Sequence, residues 1–199
     1  MNIAIFVSGD GTNCENIIRH FRGVSSSDNR GSNSISVSLV VSSRADAYAL
    51  VRAAKYGVPC RVVDRDAMRD ASVLLPLLEE YAVEFIVLAG FMLMVPAFLT
   101  ARYNRRIVNI HPSLLPKYGG KGMYGRHVHE AVWRAGERLS GITIHYVNDV
   151  CDGGDMIAQF FTPVDSTDTV DDIERKVRAL EMRYYPAVIE AVIEDEVAT

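Results

Sequence analysis

The chain is poor in cysteine. Its three cysteines, Cys14, Cys60 and Cys151, stand far apart and form no CxxC pair. Neither a disulfide framework nor a zinc cluster is expected, and the usage suits a reducing compartment. Long apolar runs are lacking too, since nothing approaches the roughly 18 uninterrupted residues of a membrane span. Met1-Asn2 leads straight into Ile3-Ala4-Ile5-Phe6-Val7, with no basic region before it and no cleavage site after it. Excess charge of one sign is also missing: 21 Lys and Arg face 25 Asp and Glu, a formal −4. No global field therefore gathers nucleic acid. The expectation is a cytoplasmic protein with no nucleic-acid or membrane partner and no metal.

What is present suits one globular domain. Hydrophobic residues make up 49% of 199, enough for a sizeable core, and 23% are charged. That excludes a disordered tail protein, a disulfide-stapled mini-protein and most two-domain enzymes. Short apolar runs alternate with helical patterns. Strands are expected at Ile3 to Val7, Ile35 to Val41, Val58 to Val63 and Glu84 to Ala89. Helices are expected at Thr12 to Phe21, Ala45 to Lys55 and Asp66 to Tyr81. This alternation predicts an α/β fold, a Rossmann-like and mostly parallel sheet. The second half departs from that rhythm, with a strand at Ile107 to Ile110 and a Pro- and Gly-rich loop from Pro112 to Gly125. An antiparallel pair is expected at Ile142 to Val147 and Met156 to Pro163. A long helix from Thr169 to Glu194 follows, opened by a Thr169/Asp172 capping box and bent or divided at Pro186. Arg22 to Ser36, rich in serine, reads as a surface loop. The chain is taken as a single domain, 1–199, with a phosphate-binding half at 1–100 and a catalytic half at 101–199.

Ser8-Gly9-Asp10-Gly11-Thr12-Asn13 follows the first strand and opens the first helix. Glycines permit the tight turn, and free N–H groups with the helix dipole favour an anion. A plain turn with a helix cap accounts for the same string. The dinucleotide fingerprint fails, because Cys14 stands at the third glycine and the second strand ends in Val41-Ser42-Ser43, without an acid. No GKS or GKT follows, so this is no P-loop. One phosphate group fits better than NAD.

At the end of the fourth strand, Gly90 and Pro96 bracket an apolar loop, Phe91-Met92-Leu93-Met94-Val95. It is either core or the wall of a site for a flat heterocycle. Asn109 and His111, two apart, share a strand face. An amide donor beside an imidazole suits oxyanion stabilisation and proton transfer, although either could serve the local backbone. His145 is either a core histidine or part of the site. Asp152, before Gly153-Gly154, either steadies a turn or reaches His111. Cys14 follows the glycine turn with no histidine near it in sequence, a weak candidate nucleophile. His127 and His129 have a metal-like spacing, unsupported by an HExxH motif or a cysteine cluster.

Together these strings resemble one family. Ser8 to Asn13, Ala89-Gly90-Phe91-Met92, Asn109-Ile110-His111-Pro112-Ser113-Leu114-Leu115-Pro116 and Asp152-Gly153-Gly154 occur in the order seen in the folate-dependent phosphoribosylglycinamide formyltransferases. The resemblance runs through essentially the whole chain. It implies a single-domain formyltransferase fold and formyl transfer from 10-formyltetrahydrofolate, as cosubstrate, to the amine of phosphoribosylglycinamide in purine biosynthesis. By the same resemblance Gly11, Thr12 and Asn13 hold the phosphate, and Met92, Leu93, Met94 and Val95 line the folate pocket. Asn109, His111 and Asp152 are the catalytic set, with Asn109, His145 and Asp152 also facing folate. Arg178 and Glu181, one turn apart on the last helix, reach the substrate. Arg178 replaces an expected glutamine. The segment Lys117 to Gly125 is longer than the commoner form, which leaves His127 and His129 without assigned roles. Arg65 and Arg69 are alternative folate contacts.

The resemblance implies direct attack of the amine on the formyl carbon through a tetrahedral intermediate. Its length is expected to exclude the tRNA-binding or regulatory unit of sister enzymes, and a monomer or weak homodimer is expected. A sugar-nucleotide or other small-amine formyltransferase is an alternative. So is a non-catalytic module binding a phosphorylated metabolite, which would leave Asn109, His111 and Asp152 without a joint role.

Overall fold

A computed structural model of the chain describes residues 1–27 and 35–198. Its seven strands form one mixed sheet in the order β3-β2-β1-β4-β5-β6-β7. The chain divides into two compact units, Met1–Val108 and Asn109–Thr199.

In the first unit β1 (Asn2–Val7) pairs in parallel with β2 (Ser36–Ser42) and β4 (Phe85–Leu88), and β2 pairs in parallel with β3 (Cys60–Val62). Ile3 to Val7 are wholly buried, as a parallel strand covered on both faces requires. Helix α1 (Thr12–Ser27) buries Cys14, Ile17, Ile18 and Phe21, one stripe at helical spacing. It extends past the expected end at Phe21 and takes up residues assigned to a loop from Arg22. Of the rest of that loop, residues 28–34 lie outside the described residues, and Ser36 opens β2.

Helix α2 (Tyr48–Lys55) starts later than Ala45 because Arg44 folds back on Asp46, its Nε donating at 2.9 Å to Oδ1. The expected helix from Asp66 to Tyr81 is two helices, α3 (Arg65–Arg69) and α4 (Ala71–Glu80). Asp70 breaks it: its carboxylate accepts from the Ser72 amide at 2.8 Å, capping α4 in an extended conformation no helix interior allows. Arg65 and Arg69 are both exposed on α3. A further short helix, α5 (Ala97–Arg102), follows the apolar loop.

The sheet order reverses beside β1: its chain successor β2 lies on one side and β4 on the other. Ligands of open α/β sheets bind outside the carboxyl ends of strands at such a point. Here the two carboxyl ends carry the glycine turn and the apolar loop.

The second unit contains most of β5 (Ile107–His111), then α6 (Arg126–Arg134), β6 (Leu139–Tyr146), β7 (Met156–Pro163) and α7 (Val170–Ala198). β6 and β7 pair antiparallel, with Gly141 opposite Phe161. Residues 112–125 hold no helix or strand, as expected, whereas α6 has no counterpart in the sequence reading. The capping box forms: the Thr169 amide donates to Asp172 Oδ2 at 3.0 Å and the Asp172 amide to Thr169 Oγ1 at 3.2 Å. Pro186 does not divide α7, which runs through it. Buried Tyr185 and Ile189 hold that stretch against the unit's core, offsetting the hydrogen bond proline removes. Among the described residues no helix is long and apolar enough to cross a membrane.

Candidate active site

In the first unit the turn is drawn tightly against α2. Gly11 has φ 76°, and a Cβ there would lie 2.4 Å from the Cβ of Ala49. Only glycine meets both demands. The Ala49 amide donates to the Gly9 carbonyl at 3.0 Å, and Arg52 Nε donates to the Asp10 carbonyl at 2.9 Å. Arg52 also pairs with Glu15, which accepts from the Tyr56 hydroxyl at 3.2 Å. The guanidinium holds the Glu15 carboxyl below the usual carboxylate range. Thr12 and Asn13 occupy the first turn of α1, where amide groups lack helical partners. Cys14 is buried, which pushes its thiol up to about 12. A thiol so reluctant to ionise is no nucleophile.

Ser8 ties this turn to the apolar loop. Its buried hydroxyl lies 2.6 Å from that of Ser43 and accepts from the Met92 amide at 2.9 Å. Met92 and Met94 are half exposed, Leu93 is partly buried, and Val95 is buried. Thus two of the four proposed folate-pocket side chains offer substantial apolar surface, while Val95 packs inward.

The second unit brings together four residues that lie up to 43 positions apart, from Asn109 to Asp152. His111 Nδ1 is 3.5 Å from Asp152 Oδ2, and His145 Nε2 is 3.7 Å from Asp152 Oδ1. Asn109 Nδ2 is 3.1 Å from His145 Nε2. Carbonyl partners settle the hydrogens. His145 Nδ1 meets the Tyr146 carbonyl at 2.7 Å, so it carries the hydrogen and Nε2 accepts from Asn109. Burial pushes the His145 imidazole below its ordinary value, favouring this neutral ring. His111 Nε2 meets the Tyr118 carbonyl at 2.7 Å and therefore donates. A second hydrogen, on His111 Nδ1, would face Asp152. The Asp152 carboxylate accepts a hydrogen bond from the Gly120 amide at 2.8 Å.

Beneath the cluster, Thr143 uses its full hydrogen-bonding capacity. Its hydroxyl donates to the Ser113 carbonyl at 2.7 Å and accepts from the Leu115 amide at 3.0 Å and Gln159 Nε2 at 2.9 Å. The sequence reading missed Thr143, Gln159 and the peptide groups of Tyr118 and Gly120. Residue type carries no signal for a backbone contact; a polar Thr143 and Gln159 within half-apolar strands was the available clue.

The remaining candidates are more peripheral. Arg178 is exposed and donates to Glu174 Oε1 at 3.2 Å, one helical turn away, while Glu181 is partly buried. His127 and His129 diverge: His127 lies exposed near Glu130, at 3.8 Å, whereas His129 is buried and held below its ordinary value by burial.

The formyl transferase family matches residues 1–189. The chain belongs to the formyl transferase family. Members of known name are close. A chloroplastic phosphoribosylglycinamide formyltransferase of Arabidopsis thaliana is 36% identical over 98% of this chain and 66% of its own length. The Haemophilus influenzae phosphoribosylglycinamide formyltransferase is 37% identical over 94% of this chain and 84% of its own. The chain spans about two thirds of the plant relatives it matches, 66% and 62% of them. Among solved formyl transferase structures, the phosphoribosylglycinamide formyltransferase of Anaplasma phagocytophilum aligns with a TM-score of 0.85 at 31% identity. It covers 98% of this chain and 88% of its own. The one from Bacillus halodurans gives 0.84 at 33%, over 97% and 95%. The mixed sheet described above is thus a formyl transferase fold.

Proposed function

We propose that this formyl transferase moves the formyl group of 10-formyltetrahydrofolate to the amine of phosphoribosylglycinamide, a step of purine biosynthesis. The observation that carries the reading is the cluster of Asn109 and Asp152 with the buried His111 and His145. A non-catalytic binding module has no use for a carboxylate, two imidazoles and an amide held in mutual contact. The relatives' names supply the acceptor and the transferred formyl group, and the sequence resemblance supplies the folate donor.

In this reading the whole chain acts as one catalytic domain. Gly11, Thr12 and Asn13 receive the phosphate through amide and side-chain donors. Arg178 and Glu181 serve the rest of the acceptor, and Glu181 accepts from the ribose hydroxyls. Met92 and Met94 present apolar surface to the flat pterin, with Leu93 and Val95 behind them. The acceptor nitrogen attacks the formyl carbon, a C–N bond forms, and the carbonyl oxygen becomes an oxyanion. The second hydrogen of Asn109 Nδ2 and a protonated His111 stabilise that charge. Asp152 balances the imidazolium and, through water, conveys the amine proton toward the departing folate nitrogen as its bond to the formyl carbon breaks. No metal takes part. His145, neutral and donating to Tyr146, keeps the Asn109 amide aimed. The cytoplasmic location and the monomer or weak homodimer expected from the sequence belong to the same reading.

An absorbance assay of folate release tests it. Release that requires phosphoribosylglycinamide supports the proposal. Absence of release, or release equal without the acceptor, overturns it.

A further inference from the structure

The segment Lys117 to Gly125 matched no assigned role in the sequence, and it contributes no side chain to the cluster. Two of its peptide groups nevertheless reach it: the Tyr118 carbonyl takes the His111 Nε2 hydrogen at 2.7 Å, and the Gly120 amide donates to Asp152 Oδ2 at 2.8 Å. A carbonyl can only accept and an amide can only donate. The Tyr118 carbonyl therefore keeps a hydrogen on His111 Nε2 and leaves Nδ1 facing Asp152, while the Gly120 amide orients the Asp152 carboxylate.

Both groups point as they do because the backbone is left-handed at Tyr118, φ 57°, and at Gly120, φ 89°. Glycine adopts this freely, but for tyrosine it costs about 1–2 kcal/mol. A restraint must hold Tyr118 there. Packing is open on one side, where a cavity of about 350 Å³ lined by Leu114, Pro116, Val132 and Leu139 adjoins Lys117, Tyr118 and Glu137. Two side chains hold the turn. The buried Ser113 hydroxyl donates to the Lys117 carbonyl at 2.7 Å, and Glu137 holds the side chains of Lys117 and Tyr118. Glu137 Oε1 accepts from the Tyr118 hydroxyl at 3.0 Å and from the Lys117 ammonium at 2.8 Å. These bonds hold its carboxyl below the usual range, so it is charged at neutral pH. Glu137 is itself anchored between α6 and β6, its amide donating to the Val132 carbonyl at 3.3 Å.

We propose that Glu137 is a positioning residue: by holding Lys117 and Tyr118 it aims the two peptide groups that orient His111 and Asp152. The kinetic part of this inference rests on the proposed formyl transfer; the structural part does not.

Nitrogen-15 NMR of the His111 ring in the substrate-free protein tests the structural part, in wild type, Glu137→Ala, Glu137→Gln and Tyr118→Phe. Wild type is expected to keep hydrogen on Nε2 in the neutral and in the protonated ring alike. In the neutral ring Glu137→Ala is expected to show exchange between tautomers, and Glu137→Gln, whose amide oxygen still accepts both bonds, a return toward wild type. In the transfer assay Glu137→Ala is expected to lower kcat about tenfold, near 1.4 kcal/mol, with both KM values within about twofold and Glu137→Gln rescuing most of the loss. An unchanged His111 signature in a folded Glu137→Ala protein overturns the proposal, as does a rise in KM with kcat intact. Should Glu137→Ala not fold, Tyr118→Phe decides by the same signature, expected to move in the same direction by less. A wild type that transfers no formyl group rejects the functional reading, while the NMR result still decides the role of Glu137.

Discussion

The glycine turn and the buried histidine cluster achieve rigidity by opposite means. The turn is contiguous, six residues from Ser8 to Asn13, and it is shaped by what it lacks. Gly11 has no Cβ because Ala49 already occupies that place. Its carbonyls accept from α2, at Gly9 from the Ala49 amide and at Asp10 from the Arg52 guanidinium. The cluster is discontinuous and shaped by what it contains: three polar side-chain types drawn from β5, β6 and the loop before β7, each with its hydrogens dictated by a neighbour. A site that binds a charge already present in the ground state can be made of backbone. One that must answer charge as it develops needs groups that accept and release protons.

This contrast can be broken by mutation. The largest effect is expected at the cluster: His111→Ala and Asp152→Asn should each lower kcat by about a thousandfold, the scale of acid–base and oxyanion groups. Affinity for the acceptor, measured by calorimetry, should change little. Near-normal turnover in both would remove them from the chemistry. Gly11→Ala should invert the pattern. Ala49 must yield and φ is unfavourable, so KM for phosphoribosylglycinamide should rise roughly tenfold, about 1.4 kcal/mol, with kcat at saturation nearly kept. A kcat loss as deep as that of His111→Ala would erase the distinction between the two regions.

A smaller effect separates the regions by pH. His145 and His129 are both held below the ordinary histidine value of 6.5 by burial. Below that value the unfolded chain binds protons that the folded chain refuses, so stability falls as pH falls. Urea unfolding at pH 7 and about pH 5.5 should show the loss, bounded by about 1.4 kcal/mol per pH unit for each group. His129→Asn should reduce the slope, and an unchanged slope would remove His129 from this account. Ser8→Ala should cost least, about 1 kcal/mol. It frees the Met92 amide, and it should weaken folate and acceptor binding together, since Ser8 ties turn to loop. An effect on one substrate alone would show that the tie does not couple them.

The sequence disclosed these regions unequally. The place of the turn was readable, because its glycines and its helix start are adjacent in the chain, but its fastening to Ala49 and Arg52 was not. Asn109, His111 and Asp152 were readable as side chains, and the structure brings His111 and Asp152 together at 3.5 Å. The alignment of that pair was not readable, since it depends on peptide groups at Tyr118 and Gly120 that any residue could supply. Helix boundaries failed where short polar side chains intervene. Asp70 splits one periodic apolar stripe into α3 and α4, and the Arg44–Asp46 pair delays α2. α6 escaped notice because its apolar positions, Val128 and Val132, are interleaved with five ionisable side chains from Arg126 to Arg134.

The contacts made by Tyr118 and Gly120 have a consequence for how freely this loop can be rewritten. Main-chain atoms deliver its two bonds to the cluster, so the text of the loop and its duty are separable. Lys121, Met123 and Tyr124 are open to replacement, as in a recombination library, provided the left-handed geometry at positions 118 and 120 survives. Selection there would act on the path of the chain rather than on its lettering. A loop of altered length could then keep the same two addresses while presenting an entirely different surface to the solvent.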